Sequence, residues 1–491
     1  MSPRLPIVGL AALLGGCSLM PEYLRPAAPI PAAWPGGPAY REAGLTPVAT
    51  GAAAPLSADA IGWRDFMHDP RLQQLVEIAL TNNRDLRVAA LNVQGAEAQF
   101  RATRADLFPR IDGSGSYEAQ RIPSDLSSSG DRSGNAGINS RTYNVGVGFT
   151  SFEIDLFGRL RSLSEAAFQS YLGYAETRRS AQISLVAQVA TAYLAVLADA
   201  ELLELTRQTL ASQEASLAVT RASVEGGAAD ALSLRQAETS VQTARANLFA
   251  YTRLAAQDEN ALALLLGQPV PPELVTGGRL TTEALLTDLP AGLPSEVLLR
   301  RPDVQAAEHS LMAANANIGA ARAAFFPSLS LTGSVGTASS SLSNLFAAGS
   351  AAWSFAPALS VPIFNAGSNR ANLDLAKVQN NIYVARYESA IQTAFREVAD
   401  ALAARGTYDD QIAAQQALTD AYADSYRLSE LRFRTGVDNY LTTLDAQRSL
   451  YSAQQQLITL RQARLTNLVT LYKVLGGGWN EHSPVVTAAA R

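Results

Sequence analysis

Small apolar residues recur every three to four positions over two long stretches that contain no proline. Proline is absent from 124 to 268 and again from 363 to 482. The spacing is seen in the run of Leu185, Val189, Ala192 and Val196, and it places apolar side chains on one face of a helix. The pattern predicts two very long helices, over 158–224 and 366–434, each extending for about 100 Å.

Shorter helices are predicted on either side of the two long ones. Gly227 and Gly436 are expected to form tight turns between successive helices. No predicted helix carries an apolar run of the roughly 18 residues needed to cross a membrane, so these helices are expected to pack in water. The shorter helices are predicted over 64–107, 228–266, 296–325 and 438–475.

Segments of a different character follow the Phe-Pro pairs that end at Pro109 and Pro327. Here apolar residues alternate with small or polar ones, which is typical of β-strands with one apolar face. We predict four strands in two hairpins, whose tips at 122–140 and 338–350 are rich in Ser, Gly and Asn. The alternating sets are Tyr143, Val145, Val147 and Phe149; Leu329, Leu331 and Val335; and Trp353, Phe355, Leu359, Val361 and Ile363; the weakest strand runs from Ile111 to Tyr117.

The two halves of the chain resemble each other. Asp85 and the segment 104–109 match Asp303 and the segment 322–327 at a constant offset of 218 residues. Further along, 227–232 matches 436–441, and Leu266-Gly267 matches Leu475-Gly476, at an offset of 209. We therefore predict two tandem copies of one structural unit.

Two isolated hairpins with an apolar face are not expected to be stable in water or in lipid, because backbone groups at their edges are left unpaired. A closed barrel removes those edges, but four strands are too few to enclose a pore. The pattern therefore predicts an oligomer in which several chains supply strands to one barrel.

Composition excludes several classes of function. The 491 residues carry a net charge of −5, and 17% of them are charged, so no basic surface for nucleic acid is expected. His68, His309 and His482 have no partners at the spacing of a metal site or a catalytic triad. We expect no enzymatic activity, no metal and no cofactor.

The single cysteine, Cys17, follows a short basic and apolar start and the residues Leu14-Gly15-Gly16. This pattern resembles the lipobox of bacterial lipoproteins, so residues 1–16 are predicted to be a signal peptide and Cys17 the site of a covalent lipid. Ser18 at the next position favours the outer membrane in the sorting pattern that this resembles.

The order of these features resembles the TolC/OprM-like outer-membrane efflux proteins, and in particular the lipidated, NodT-type members that serve resistance-nodulation-division (RND) pumps. The resemblance covers nearly the whole mature chain and rests on the lipobox, the repeated Phe-Pro junctions and the segments 21–26, 153–159, 434–441 and 444–448.

This resemblance implies an α+β membrane protein: a homotrimer with a 12-stranded outer-membrane β-barrel continuous with a 12-helix periplasmic α-barrel, built from two tandem repeats per chain. It also implies partnership with a periplasmic membrane-fusion adaptor and an inner-membrane RND pump. The predicted regions are the signal peptide 1–16, the N-terminal equatorial segment 17–61, the first repeat 62–267 (hairpin about 110–157), the equatorial linker 268–295, the second repeat 296–476 (hairpin about 328–364) and the tail 477–491.

In the pattern of this family, the helix that follows the second helix-to-helix turn, at Gly436, carries the residues that constrict the pore. This turn and its counterpart at Gly227 are called the helical tips below. The matching positions are Leu441, Asp445 and Arg448, which share one helix face because they are four and three residues apart. We expect them to form a periplasmic gate, although the same spacing also fits an ordinary exposed ion pair. The first repeat has the uncharged Leu232, Gln236 and Thr239 at the equivalent positions.

The helical tips also offer a docking surface for the adaptor at Gly227, Arg434, Gly436 and Val437. The two glycines could equally serve only to end helices. The predicted function is an outer-membrane channel that passively conducts drugs or other small toxic compounds. Two alternatives stay open: a channel for type I protein secretion, and a fibrous coiled-coil surface protein.

Overall fold

The computed structural model of the chain describes residues 18–40, 57–123, 138–290, 292 and 294–484. Cys17 and the predicted signal peptide 1–16 lie outside the described residues. The described residues cluster into two compact units. The first contains the described parts of Met1–Pro26, Val93–Gly173 and Ala307–Arg386; the second contains those of Ala27–Asn92, Tyr174–Ala306 and Tyr387–Arg491.

Helices dominate the described residues, and the four strands found there lie between helices. Short helical turns also form at Trp63–Phe66 and Pro272–Val275. The main elements in chain order are α1 (Pro70–Asn82), α2 (Arg84–Ala105), β1 (Asp112–Ile122), β2 (Ile138–Ile154), α3 (Arg159–Glu225), α4 (Ala231–Leu266), α5 (Pro294–Arg300), α6 (Pro302–Ala323), β3 (Ser328–Ser339), β4 (Ala351–Ser360), α7 (Ser368–Arg434) and α8 (Tyr440–Val474).

The two halves of the chain have the same order of elements. Each contains two helices, a β-hairpin, a helix of 67 residues and, after a tight turn, a helix of 36 or 35 residues. The two long helices, α3 and α7, begin and end within two residues of the bounds that the sequence predicts. Their freedom from proline and their many good helix formers explain this agreement.

The predicted helix 64–107 is wrong in one respect, because it is interrupted before Pro70 and again at Asn83. The backbone of Asn83 is extended, with φ −60° and ψ 130°. Its side-chain oxygen accepts a hydrogen bond from the Leu86 amide (2.9 Å), and its amide group donates to the Leu265 carbonyl (3.0 Å). Asn83 therefore ends α1, caps α2 and joins both to the end of α4.

The predicted helix 296–325 is also wrong in this way, because it is interrupted at Arg301. Pro302 follows directly, and proline disfavours the helical conformation in the residue before it. Arg301 lies 218 residues after Asn83, which is the offset that relates the two halves. The two breaks therefore fall at equivalent positions.

The side chain of Arg301 is buried at its break and makes four hydrogen bonds. Its Nε and Nη2 donate to the carboxylate of Asp303 at 3.0 and 2.7 Å. Nη2 also donates to Glu397 of α7 (2.7 Å), and Nη1 donates to the carbonyl of Val474 at the end of α8 (3.0 Å). One guanidinium thus fixes the junction of α5 and α6 against two other helices of the second unit.

The four strands form one antiparallel sheet in the order β1-β2-β3-β4 in the first unit. Val147, Val335 and Trp353 are paired across β2, β3 and β4, and directly paired residues share a face. These three side chains are 51%, 66% and 80% exposed, so the apolar face of the sheet is uncovered within one chain. β1 and β4 each pair with one neighbour, and their outer edges have no strand partner in the part of the chain that the structure describes.

The backbones of β2 and β3 approach closely where Gly146 pairs with Gly336. A Cβ atom on Gly336 would lie 2.1 Å from the carbonyl oxygen of Val145, a distance that no side chain can accept. Further along, the register of the two strands shifts between Phe149 and Phe152. Ser151 forms this β-bulge with φ +53°, and its amide donates to the hydroxyl of Thr332 (3.1 Å).

β4 ends at Ser360, so the predicted strand that continues to Ile363 is too long. Pro362 restricts the backbone before it and cannot donate to a sheet ladder.

α3 gives a second correction, because it contains one window of 18 residues apolar enough to cross a membrane, with a mean hydropathy of 1.6. However, 56% of that window is buried in the protein, as expected for a packing helix.

Candidate functional site

The two turns that follow the long helices have the same backbone design. Gly227 and Gly436 both have φ +73°, a left-handed conformation that glycine adopts at little cost. Among the described residues, no atom lies within 4 Å of the position that a Cβ would take on either glycine, so the left-handed conformation alone explains why glycine occurs here. The matching hydrogen bonds are Ala228 N to Ser223 O (2.8 Å) and Val437 N to Arg432 O (2.9 Å).

Side-chain caps start the helices that leave both turns. Asp230 accepts a hydrogen bond from the amide of Ser233 at the start of α4 (2.8 Å), and Asn439 accepts one from Thr442 at the start of α8 (3.3 Å). The sequence predicts these helix starts within three residues. Both caps follow directly from the preference for Asp and Asn at this position.

The second turn carries more charge than the first. Arg432 donates two hydrogen bonds to Asp438, across the turn, at 2.5 and 3.0 Å. These hydrogen bonds lower the pKa of Asp438. Arg434, a predicted docking residue, is exposed and pairs with Glu430 at 2.6 Å, while Val437 is exposed at the apex of the turn.

Leu441, Asp445 and Arg448 lie in the first turns of α8, and all three side chains are at least partly exposed. The structure brings Arg448 and Asp445 together only loosely, because their closest charged atoms are 4.0 Å apart. This distance exceeds that of a hydrogen bond.

Arg448 makes its short contacts with a residue that the sequence analysis missed. Its Nε and Nη2 both donate to the hydroxyl oxygen of Ser240 in α4, at 3.1 and 2.8 Å. Thr239, which occupies the position equivalent to Arg448 in the first half, is the neighbour of Ser240 in the chain. The alignment of the two repeats therefore leads to the residue next to Ser240. It does not predict the contact itself, because no sequence signal joins residues 208 positions apart.

Further side-chain hydrogen bonds join α8 to α3 and α4 beyond this contact. Gln447 donates to Ser212 of α3 (3.1 Å). The Tyr451 hydroxyl lies 2.8 Å from that of Thr206 in α3, and Gln455 donates to Tyr251 of α4 (2.8 Å). Ala237, Tyr440 and Leu444 form an apolar cluster at the tip side of these bonds. The start of α8 is therefore held against α3 and α4 by an apolar cluster and by hydrogen bonds between mostly uncharged side chains.

No group of three or more His, Cys, Asp or Glu side chains within the described ranges is placed to hold a metal ion. His309 contacts the side chain of Gln169, with 2.8 Å between Nδ1 and Oε1. This contact joins helices within the first unit.

Comparisons with known proteins place these features in a family. A sequence model described as "Outer membrane efflux protein" matches residues 75–268 and 293–477. The chain is 52% identical to a toluene efflux pump outer membrane protein, TtgC of Pseudomonas putida, over 473 residues, which cover 96% of this chain and 95% of that protein. It is 51% identical to the antibiotic efflux pump outer membrane protein ArpC of Pseudomonas putida over 473 residues, with the same coverage of 96% and 95%.

The fold is also similar to that of solved channels. The open-state structure of the MtrE outer membrane channel of Neisseria gonorrhoeae aligns with a TM-score of 0.84 at 40% identity, covering 95% of this chain and 100% of that one. Both the predicted family and the outer-membrane location are confirmed by these similarities. The chain belongs to the outer membrane efflux protein family.

Proposed function

We propose that this protein is the outer-membrane channel of a tripartite efflux system, which passively conducts drugs or other small toxic compounds from an inner-membrane pump and a periplasmic adaptor to the outside. The observation that carries the proposal is the four-stranded sheet, with its uncovered apolar face and two unpaired edges. A face of this kind suits lipid, and its edges can be satisfied by strands of other copies.

Three copies of the chain would supply twelve strands to one barrel, a size within the range of outer-membrane barrels. The same three copies would contribute the long helices α3 and α7 and their shorter partners α4 and α8 to a tube of twelve helices. A lipid on Cys17 would add an anchor to the membrane. We propose no cofactor and no catalysis, because conduction through a barrel requires neither.

Small toxic compounds are the proposed cargo because relatives with about half of their residues identical are named for toluene and antibiotic efflux. The adaptor is proposed to dock at the exposed turns, at Gly227, Arg434, Gly436 and Val437. The energy for export would come from the pump.

Leu441, Asp445 and Arg448 are proposed to form the periplasmic gate. In a trimer, each would occur three times around the axis, so the face that they share would become a ring of apolar and charged groups. Rings of charged side chains set ion selectivity in channels. The open state named for MtrE supports the view that members of this family open.

The test is single-channel conductance in planar bilayers. We expect the wild type to form a small, mostly closed, cation-preferring pore, and the double variant Asp445→Ala, Arg448→Ala to conduct several-fold more. The matched control is Gln236→Ala, Thr239→Ala, at the equivalent positions of the first half, which should conduct like the wild type. If the double variant Asp445→Ala, Arg448→Ala has the same conductance as the wild type, these residues do not form the gate. If a folded, inserted trimer shows no conductance, the proposed channel function is refuted.

A further inference from the structure

Arg448 is held by an atom of a different helix. Two of its N–H groups converge on the hydroxyl oxygen of Ser240, whereas its distance to Asp445 is 4.0 Å. The guanidinium is therefore directed toward α4, although the helix face that it shares with Asp445 would allow a pair within α8.

Ser240 is itself fixed in its orientation. Its side chain is 2% exposed, and its hydroxyl donates to the carbonyl of Gln236 one turn earlier (3.3 Å). Since the single proton of the hydroxyl is used in this way, both lone pairs of the oxygen are left to accept from Arg448. Serine at this position thus presents only an acceptor to the guanidinium.

The hydroxyl of the neighbouring Thr239 has no hydrogen bond to α8 in the part of the chain that the structure describes. Thr239 is exposed, and its hydroxyl donates to the carbonyl of Arg235 in its own helix (2.8 Å). Removing the Thr239 hydroxyl therefore leaves the contact between α4 and α8 intact. The two adjacent residues form a matched pair, because one hydroxyl joins two helices and the other joins none.

Of the α4–α8 side-chain hydrogen bonds in the described part of the chain, the one between Ser240 and Arg448 lies nearest the tip. The bonds of Asn247 to Tyr451 (3.5 Å) and of Gln455 to Tyr251 (2.8 Å) follow farther along α8. Any separation of the two helices that begins at the tip must therefore break the Ser240 contact before the other two.

We propose that Ser240 is a positioning residue of the gate: its hydroxyl fixes Arg448 against α4 and so holds the start of α8 in its resting position. This inference rests on the proposed gate function. A neutral acceptor suits the role, because hydrogen bonds between two charged groups are stronger than those to a neutral one. A carboxylate at position 240 would hold Arg448 more tightly and resist opening.

The experiment compares single-channel open probability in KCl for purified full-length trimers that carry Ser240→Ala, Thr239→Ala or Arg448→Ala. We expect Ser240→Ala to raise the open probability about tenfold, which corresponds to about 1.4 kcal/mol. Thr239→Ala should behave like the wild type. Ser240→Thr keeps the hydroxyl and should restore the closed behaviour.

The double variant Ser240→Ala, Arg448→Ala separates positioning from general loosening. If Ser240 acts through Arg448, the double variant conducts no more than Arg448→Ala alone. Additive effects would overturn the proposal, because Ser240 would then act by another route. Should Ser240→Ala fail to form trimers, Ser240→Cys, with its weak acceptor, carries the test and should open more often than the wild type.

The outcomes also distinguish this proposal from the gate itself. If Arg448→Ala raises conductance and neither Ser240→Ala nor Ser240→Cys does, the gate stands and the role of Ser240 is refuted. If neither Arg448→Ala nor the double variant Asp445→Ala, Arg448→Ala changes conductance, the gate fails and this inference fails with it.

Discussion

Replacing Arg301 with methionine should destabilise the second unit by about 2–3 kcal/mol. Removing one partner of a buried ion pair costs about 3–5 kcal/mol when the other charge stays buried. Here the side chains of Asp303 and Glu397 are 43% and 37% exposed, so water can solvate them once the guanidinium is gone. The expected value lies below that range because water can solvate these two carboxylates. The unsatisfied carbonyl of Val474 accounts for much of the cost that remains.

The assay is thermal unfolding of the full-length protein in detergent, and Arg300→Met is the matched control. Arg300 is the chain neighbour, but it is half-exposed and its closest acidic atom, on Asp59, is 3.9 Å away. We expect a clear fall in melting temperature for Arg301→Met and almost none for Arg300→Met. Equal melting temperatures for the two variants would refute the reasoning.

The pH dependence gives a second readout for this variant. Burial acts to raise the pKa of Asp303, but the hydrogen bonds and charge of Arg301 outweigh it, so the pKa is lowered. A lowered pKa contributes stability above the ordinary value of 3.8, and this contribution is lost as the pH falls through the lowered pKa. The difference between wild type and Arg301→Met should therefore shrink in acid, and a constant difference would contradict the assigned ion pair.

Two further changes test other parts of the fold. Burial of Asp199 in α3, together with the nearby Asp258, raises the pKa of Asp199 to about 6; its ionised form therefore destabilises the folded protein fully above that pH and not below 3.8. Asp199→Asn should raise the melting temperature at about pH 8 and leave it nearly unchanged at about pH 4, and an equal gain at both would contradict this. Gly336→Ala would place a methyl group 2.1 Å from the Val145 carbonyl oxygen, so we expect a large loss of folded, membrane-inserted protein. The control is Gly113→Ala, which should insert normally because no described atom lies within 4 Å of the added methyl group. Equal yields for the two variants would show that the strands can separate.

The sequence predicts the long helices well, because a helix without proline is limited mainly by its caps and glycines. α7 ends at Arg434, as predicted, and Gly436 forms the turn that follows. The interruptions at Asn83 and Arg301 were missed, although Pro302 marks one of them. Asn83 breaks its helix through contacts with a segment far along the chain, and periodicity carries no information about such contacts.

The candidate gate was predictable in part. Helical spacing alone places Leu441, Asp445 and Arg448 on one face, and they do lie together at the start of α8. Spacing cannot identify the acceptor that Arg448 uses, because Ser240 and Asp445 are both within reach and the packing of α4 against α8 decides between them. The gate stays a prediction that the conductance experiments above address, and the lipid on Cys17 and the trimer stay predictions as well.

The β-bulge at Ser151 has a consequence for how β2 tolerates deletions. Before the bulge, odd-numbered residues such as Phe149 lie on the apolar face, and after it the even-numbered Phe152 takes that face by pairing with Leu331. Glu153 is thereby turned to the other face, where Arg159 donates to it at 2.9 and 2.6 Å. Removing Ser151 would leave Phe149, Thr150 and Phe152 in regular alternation opposite Gly333, Thr332 and Leu331, so Phe152 and Glu153 would keep the faces that they have now. β2 should therefore tolerate the loss of one residue at this bulge without carrying a carboxylate to the apolar face.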